Sequence, residues 1–110
     1  MTVAELPEYL RVALRLLSEG ERRAVIDHLA EHPRAGDLIE GTGGVRKLRW
    51  ARGGRGKSGG VRVIYYFHSS AMPLYLLTLF AKNERANLSR AERNELAALV
   101  DVLVGIWLEK

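Results

Sequence analysis

The sequence predicts an α+β fold: an N-terminal helical hairpin, a small antiparallel-rich sheet and a C-terminal helix, in a single domain spanning residues 1–110. Three observations predict it. Apolar residues recur at three- and four-residue steps between positions 6 and 31, with a Ser-x-x-Glu capping pattern at Ser18 and Glu21. Residues 45–51, 61–68 and 74–81 form three runs of strand character, bounded by Gly, Ser and Pro. A second Ser-x-x-Glu pattern, Ser89 and Glu92, opens an apolar-rich run that reaches Leu108. A chain of 110 residues suits one core.

Residues 2–5 fit a short strand. Residues 6–17 read as a helix, with Pro7 in the first turn, where its missing N–H costs nothing. Leu6, Leu10, Ala13, Leu14 and Leu17 make its expected apolar stripe. The second helix runs from the Ser18 cap to about Glu31, with Val25, Ile26, Leu29 and Ala30 inward, and stops at His32-Pro33. The short connection makes the two an antiparallel hairpin. His28 and His32 are four apart, a spacing zinc can use, but with no third ligand nearby they read as solvated helix histidines.

Residues 37–40 are a short extended piece, and Gly41-Thr42-Gly43-Gly44 is a turn. In 45–51, Arg46, Leu48 and Trp50 point one way, and Val45, Lys47, Arg49 and Ala51 the other. Trp50 shares its face with Leu48 and reads as core. Residues 61–68 are apolar on both faces, as a central strand requires, and 74–81 pair with them as a hairpin. The apolar end of the last helix, 99–108, must pack on the sheet or on another protein.

Charge is divided unevenly. Residues 41–82 hold eight Lys/Arg and no Asp or Glu, so a formal net charge of +4 is about +8 on this segment and about −4 on the rest. Such a segment suits a polyanion. No apolar run reaches the ~18–20 residues of a membrane span, and the N-terminus has no secretory pattern. The chain has no Cys, which excludes disulfides, a Cys-based zinc site and a thiol nucleophile. A cytoplasmic location is the simplest expectation.

Residues 51–58, A-R-G-G-R-G-K-S, fit a relaxed phosphate-loop pattern. That motif needs a helix N-terminus after it. Here Gly59-Gly60 and a β-branched run follow, so nucleotide binding is not expected. What remains is a basic hairpin loop, with Lys47 and Arg49 on the strand entering it and Arg62 on the strand leaving it. In an antiparallel pair these converge on one face near Lys82, a plausible seat for RNA or DNA.

Four stretches resemble the RelE superfamily of toxins, in its HigB-like branch: G-T-G-G-V-R-K-L-R-W-A (41–51), G-R-G-K-S-G-G-V-R-V-I-Y-Y-F (54–67), L-L-T-L-F-A-K-N-E (76–84) and L-S-R-A-E-R-N (88–94). The resemblance implies a RelE-like sheet with the helical pair on one side. It also implies a toxin of a type II toxin–antitoxin system, paired with a helix-turn-helix antitoxin. The implied activity is ribosome-dependent cleavage of mRNA by the RNA's own 2′-OH, without metal or cofactor. Carried over by position, Lys47, Arg49, Arg62, Lys82 and Glu84 match the catalytic set. Arg46, Arg52, Arg55, Lys57 and Asn83 are expected to grip RNA. RelE has a tyrosine shortly after the last cluster; residues 85–90 here hold no aromatic residue.

Such cleavage needs a base, an acid and charge stabilisation. Arginines keep their protons, so Arg49 and Arg62 are clamps. Lys47, Lys57 or Lys82 can act as base or acid, and Glu84 as base or as an orienting partner of Lys82 or an arginine. Two other readings share the basic face: a ParE-like inhibitor of DNA gyrase, and a nucleic-acid-binding module without chemistry.

Overall fold

The computed structural model describes residues 1–52 and 60–108. Its elements are β1 (Val3–Glu5), α1 (Pro7–Leu16), α2 (Glu19–Glu31), β2 (Asp37–Leu38), β3 (Val45–Trp50), β4 (Val61–Tyr66), β5 (Leu74–Ala81) and α3 (Arg90–Leu108). They build a five-stranded mixed sheet in the order β1-β5-β4-β3-β2. β1 runs parallel to β5 and every other pairing is antiparallel. The expected α+β arrangement is therefore present, with one parallel edge added by the first residues of the chain.

β4 is the centre, and all six of its residues are buried. One face, Val61, Val63 and Tyr65, packs with Leu48, Leu74, Leu76 and Leu79 beneath the helical hairpin. The other, Ile64 and Tyr66, packs with Val45, Leu77 and Phe80 beneath α3. Strict alternation would put Leu76 and Leu79 on opposite faces. A register shift at Ile64/Tyr65 leaves Leu77 opposite no residue of β4 and reverses the alternation. That bulge turns Phe80 to the α3 side, directly across from Arg62.

Local chemistry sets the element ends. Ser18 Oγ accepts from Glu21 N at 3.1 Å, and Ser18 N donates to the Glu21 carboxylate at 2.8 Å. Ser89 and Glu92 repeat this box at α3. In the 41–44 turn, Gly41, Gly43 and Gly44 have positive φ, which glycine alone adopts without strain. Thr42 between them is fully buried; its hydroxyl donates to Ile39 O and accepts from Val45 N.

One expectation about α1 is corrected. Ala13 and Leu17 are buried as expected, but Tyr9 and Val12 are buried with them and Leu14 is 63% exposed. Both stripes have helical spacing. The rotation that wins buries Tyr9, the largest side chain available. The apolar end of α3 divides: Val100 and Leu103 are buried, whereas Val102 and Ile106 are exposed.

Candidate nucleic-acid interface

The β3–β4 pairing sets Arg49 directly opposite Arg62, and Lys47 lies two residues before Arg49 on the same face. The register thus gathers three of the expected cations. Arg62 is the unusual one. It is only 9% exposed, on the central strand, where every residue is buried. Its guanidinium donates to Val61 O at 3.3 Å. No carboxylate pairs with it among the described residues. Burial, and then the like charge of Arg49, push its pKa below the usual arginine range. A guanidinium remains charged there, so the fold holds a nearly buried cation that no carboxylate among the described residues offsets. A cleft of about 280 Å³ opens beside it, lined by Arg49, Trp50, Ala51, Gly60 and Arg62.

The segment after β5 closes one side of this face. Lys82 N donates to Gly60 O at 3.0 Å, which extends the β4–β5 pairing by one step and leaves the Lys82 side chain exposed. Lys47 Nζ lies 3.5 Å from Asn87 Oδ1. Arg85 sits over the Phe80 ring, 4.7 Å from its centroid, and pairs with Glu92 at 2.8 Å. Arg85 holds the Glu92 carboxyl at about 2, well below the usual range. Asn87 and Arg85 are neighbours of the site that the sequence reading did not single out. Their only signal was position, shortly after the last strand.

Other candidates are placed differently. Glu84 pairs with Arg15 of α1 at 3.2 Å, so its arginine comes from the helical hairpin rather than from the basic strands. Asn83 is exposed in the same turn. Arg46 points to the opposite face and donates to Arg34 O and Gly36 O. Arg52 reaches Leu16 O at 3.5 Å, also on the hairpin side. Arg55 and Lys57 lie outside the described residues. A larger groove, about 470 Å³, runs between α1, β5 and α3, but leucines and Glu8, Glu92 and Glu95 line it, the wrong lining for an anion. Among the described residues, no three His, Asp or Glu are placed to hold a metal ion.

A mixed sheet between a helical hairpin and one long helix, with a cleft beside an arginine that no carboxylate pairs with among the described residues, defines a small α+β protein. The family model for the RelE toxin of the RelE/RelB toxin–antitoxin system matches residues 23–109. The chain belongs to this family. It is the toxin of a toxin–antitoxin pair, and a cognate antitoxin is its partner.

Proposed function

We propose that the protein is a HigB-like, ribosome-dependent mRNA endonuclease. The observation that carries this reading is Arg62: nearly buried, opposite Arg49, and paired with no carboxylate among the described residues. Two guanidiniums directly opposite on a sheet repel, and a phosphate between them relieves that repulsion. In the proposed reaction the 2′-oxygen of one nucleotide forms a bond to its own 3′-phosphorus. The bond from phosphorus to the next nucleotide's 5′-oxygen breaks. The products are a 2′,3′-cyclic phosphate and a 5′-OH. Arg62 and Arg49 stabilise the extra negative charge of the transition state.

Proton transfer falls to the lysines beside the clamp, Lys47 and Lys82, because arginines do not give up protons at ordinary pH. One takes the proton of the 2′-OH, and the other supplies one to the leaving 5′-oxygen. The ion pair between Glu84 and Arg15 supports a positioning part for Glu84, as an anchor of the turn that presents Lys82. Lys82 N bonded to Gly60 O brings that turn against the first residues of β4, beside Arg62.

The test is growth arrest without antitoxin, together with mapping of cleavage positions on translating ribosomes. Arg62→Ala is expected to lower cleavage roughly 100- to 1000-fold, as removal of a transition-state donor does, while the circular dichroism spectrum is unchanged. A folded Lys47→Ala/Arg62→Ala protein that stays fully toxic overturns the reading. So does inhibition of gyrase supercoiling with no cleaved RNA.

A further inference from the structure

A cluster of rings on the helical-hairpin side of the sheet has no part in the chemistry above. The His28 ring lies 5.2 Å from that of His32 and 5.5 Å from that of Trp50, both tilted. His32 is mostly exposed and 3.8 Å from Glu31, while His28 and Trp50 are half-buried. Nearby, the Arg34 guanidinium lies 5.0 Å over the Phe67 ring. A shallow depression of about 470 Å³ is lined by His28, His32, Pro33, Arg34 and Ala35. Two imidazoles and a guanidinium that border one depression are the groups on which unpaired RNA bases stack. A metal is the other use of two such histidines, but no third ligand joins them among the described residues.

The position of this depression matters as much as its lining. β2 pairs only with Arg46 and Lys47, so the Leu48–Trp50 part of β3 is an outer edge of the sheet. Trp50 packs on His28 and also lines the cleft of Arg49 and Arg62. A single strand with its phosphate at Arg62 can cross that edge and set a neighbouring base at the histidines. We infer that the depression between His28, His32 and Arg34 is a base-stacking subsite for a nucleotide flanking the phosphate held at Arg62. The inference rests on the proposed RNA-directed function and adds where a base is held. It also gives this chain a stacking surface despite the absence of an aromatic residue in 85–90.

The test uses the full chain and a six-nucleotide 2′-O-methyl RNA, which cannot be cleaved because its 2′-oxygens are blocked. An abasic strand of equal charge is the control. The base-bearing strand is expected to bind roughly tenfold more tightly, the effect of one stacked base. His28→Gln/His32→Gln should erase most of that preference and leave binding of the abasic strand unchanged, while Arg34→Ala, which also removes a charge, should narrow the ratio between the two strands. The second indole is Trp107, so a Trp107→Phe chain should show Trp50 fluorescence quenched by the base-bearing strand alone. Labelled-strand anisotropy on the unaltered chain gives the same comparison if that variant folds poorly. Equal binding of both strands means a surface that reads charge only, and overturns the subsite. So does a preference that survives the histidine changes in folded protein. Neither result touches the nuclease reading, which fails separately if Lys47→Ala/Arg62→Ala remains toxic.

Discussion

Arg62 is a charge that folding alone would not choose. Removing it from water beside Arg49 destabilises the native state, and no acidic partner offsets this among the described residues. Arg62→Met keeps the aliphatic bulk and drops the charge, so it should raise stability by about 1–3 kcal/mol in urea unfolding while activity is lost. Added inorganic phosphate should raise the melting temperature of the native chain and leave Arg62→Met unmoved. A variant less stable than the native chain would show that Arg62 is already compensated. Glu92 makes the opposite case. Arg85 depresses its folded pKa from 4.5 to about 2, so its contribution is present above about pH 4.5 and lost as pH falls toward 2. Glu92→Gln can still cap α3 but cannot pair with Arg85. Its stability deficit against the native chain should therefore be constant near neutral pH and shrink in acid titrations through this window. At this scale the sequence made the direction of a side chain legible only within a strand. Lys47, Arg49 and Arg62 share one face, as alternation of period two leads one to expect. Alternation also set Arg46 on the other face, where its guanidinium donates to Arg34 O and Gly36 O, whereas Arg52 lies past the end of β3, and the Arg15–Glu84 pair joins residues too far apart in sequence for any pattern to show.

Elements were legible where one local rule was enough. The two capping boxes, the 41–44 turn and the bounds of β5 follow from side chains within a few residues of one another. Thr42 shows how much a turn can rest on one hydroxyl, since it satisfies Ile39 O and Val45 N while fully buried. Thr42→Val is nearly the same size and leaves both groups without that partner. It should cost about 1–3 kcal/mol by thermal or urea unfolding. An unchanged midpoint would mean that water replaces the hydroxyl. Tertiary choices were less visible. The α1 stripe was misjudged at Leu14, because two apolar stripes compete on that helix and the sheet beneath selects the one that joins Tyr9 and Val12 to Ala13 and Leu17. The bulge near Leu77 was also unseen, since a continuous apolar run has no alternation to break. Yet that bulge turns Phe80, and with it Arg85, toward the face of Arg62.

The whole molecule separates its charge from its core. The acid-free segment, residues 41–82, supplies β3, β4 and β5, the middle of the sheet, while all thirteen acidic residues lie in the flanking parts. A basic sheet face with acidic surroundings restricts where a polyanion can settle, and this division was legible from composition alone. How many of the eight cations would meet RNA in the proposed function was not, because among the described residues only Lys47, Arg49 and Arg62 are aligned by strand register. Salt dependence measures that number. For a single strand, the logarithm of affinity falls with the logarithm of salt with a slope of about −0.7 for each phosphate contact. The three sheet cations alone imply a slope of about −2. If Arg55 and Lys57 also engage, as the sequence leads one to expect, the slope becomes about −3.5. The expected result for the uncleavable strand is the steeper value in the native chain and about −2 in Arg55→Ala/Lys57→Ala. Arg46→Ala should leave the slope unaltered, since that guanidinium is bonded to Arg34 O and Gly36 O on the other face. A double variant that keeps the native slope would confine RNA contact to the sheet and remove the loop from the interface.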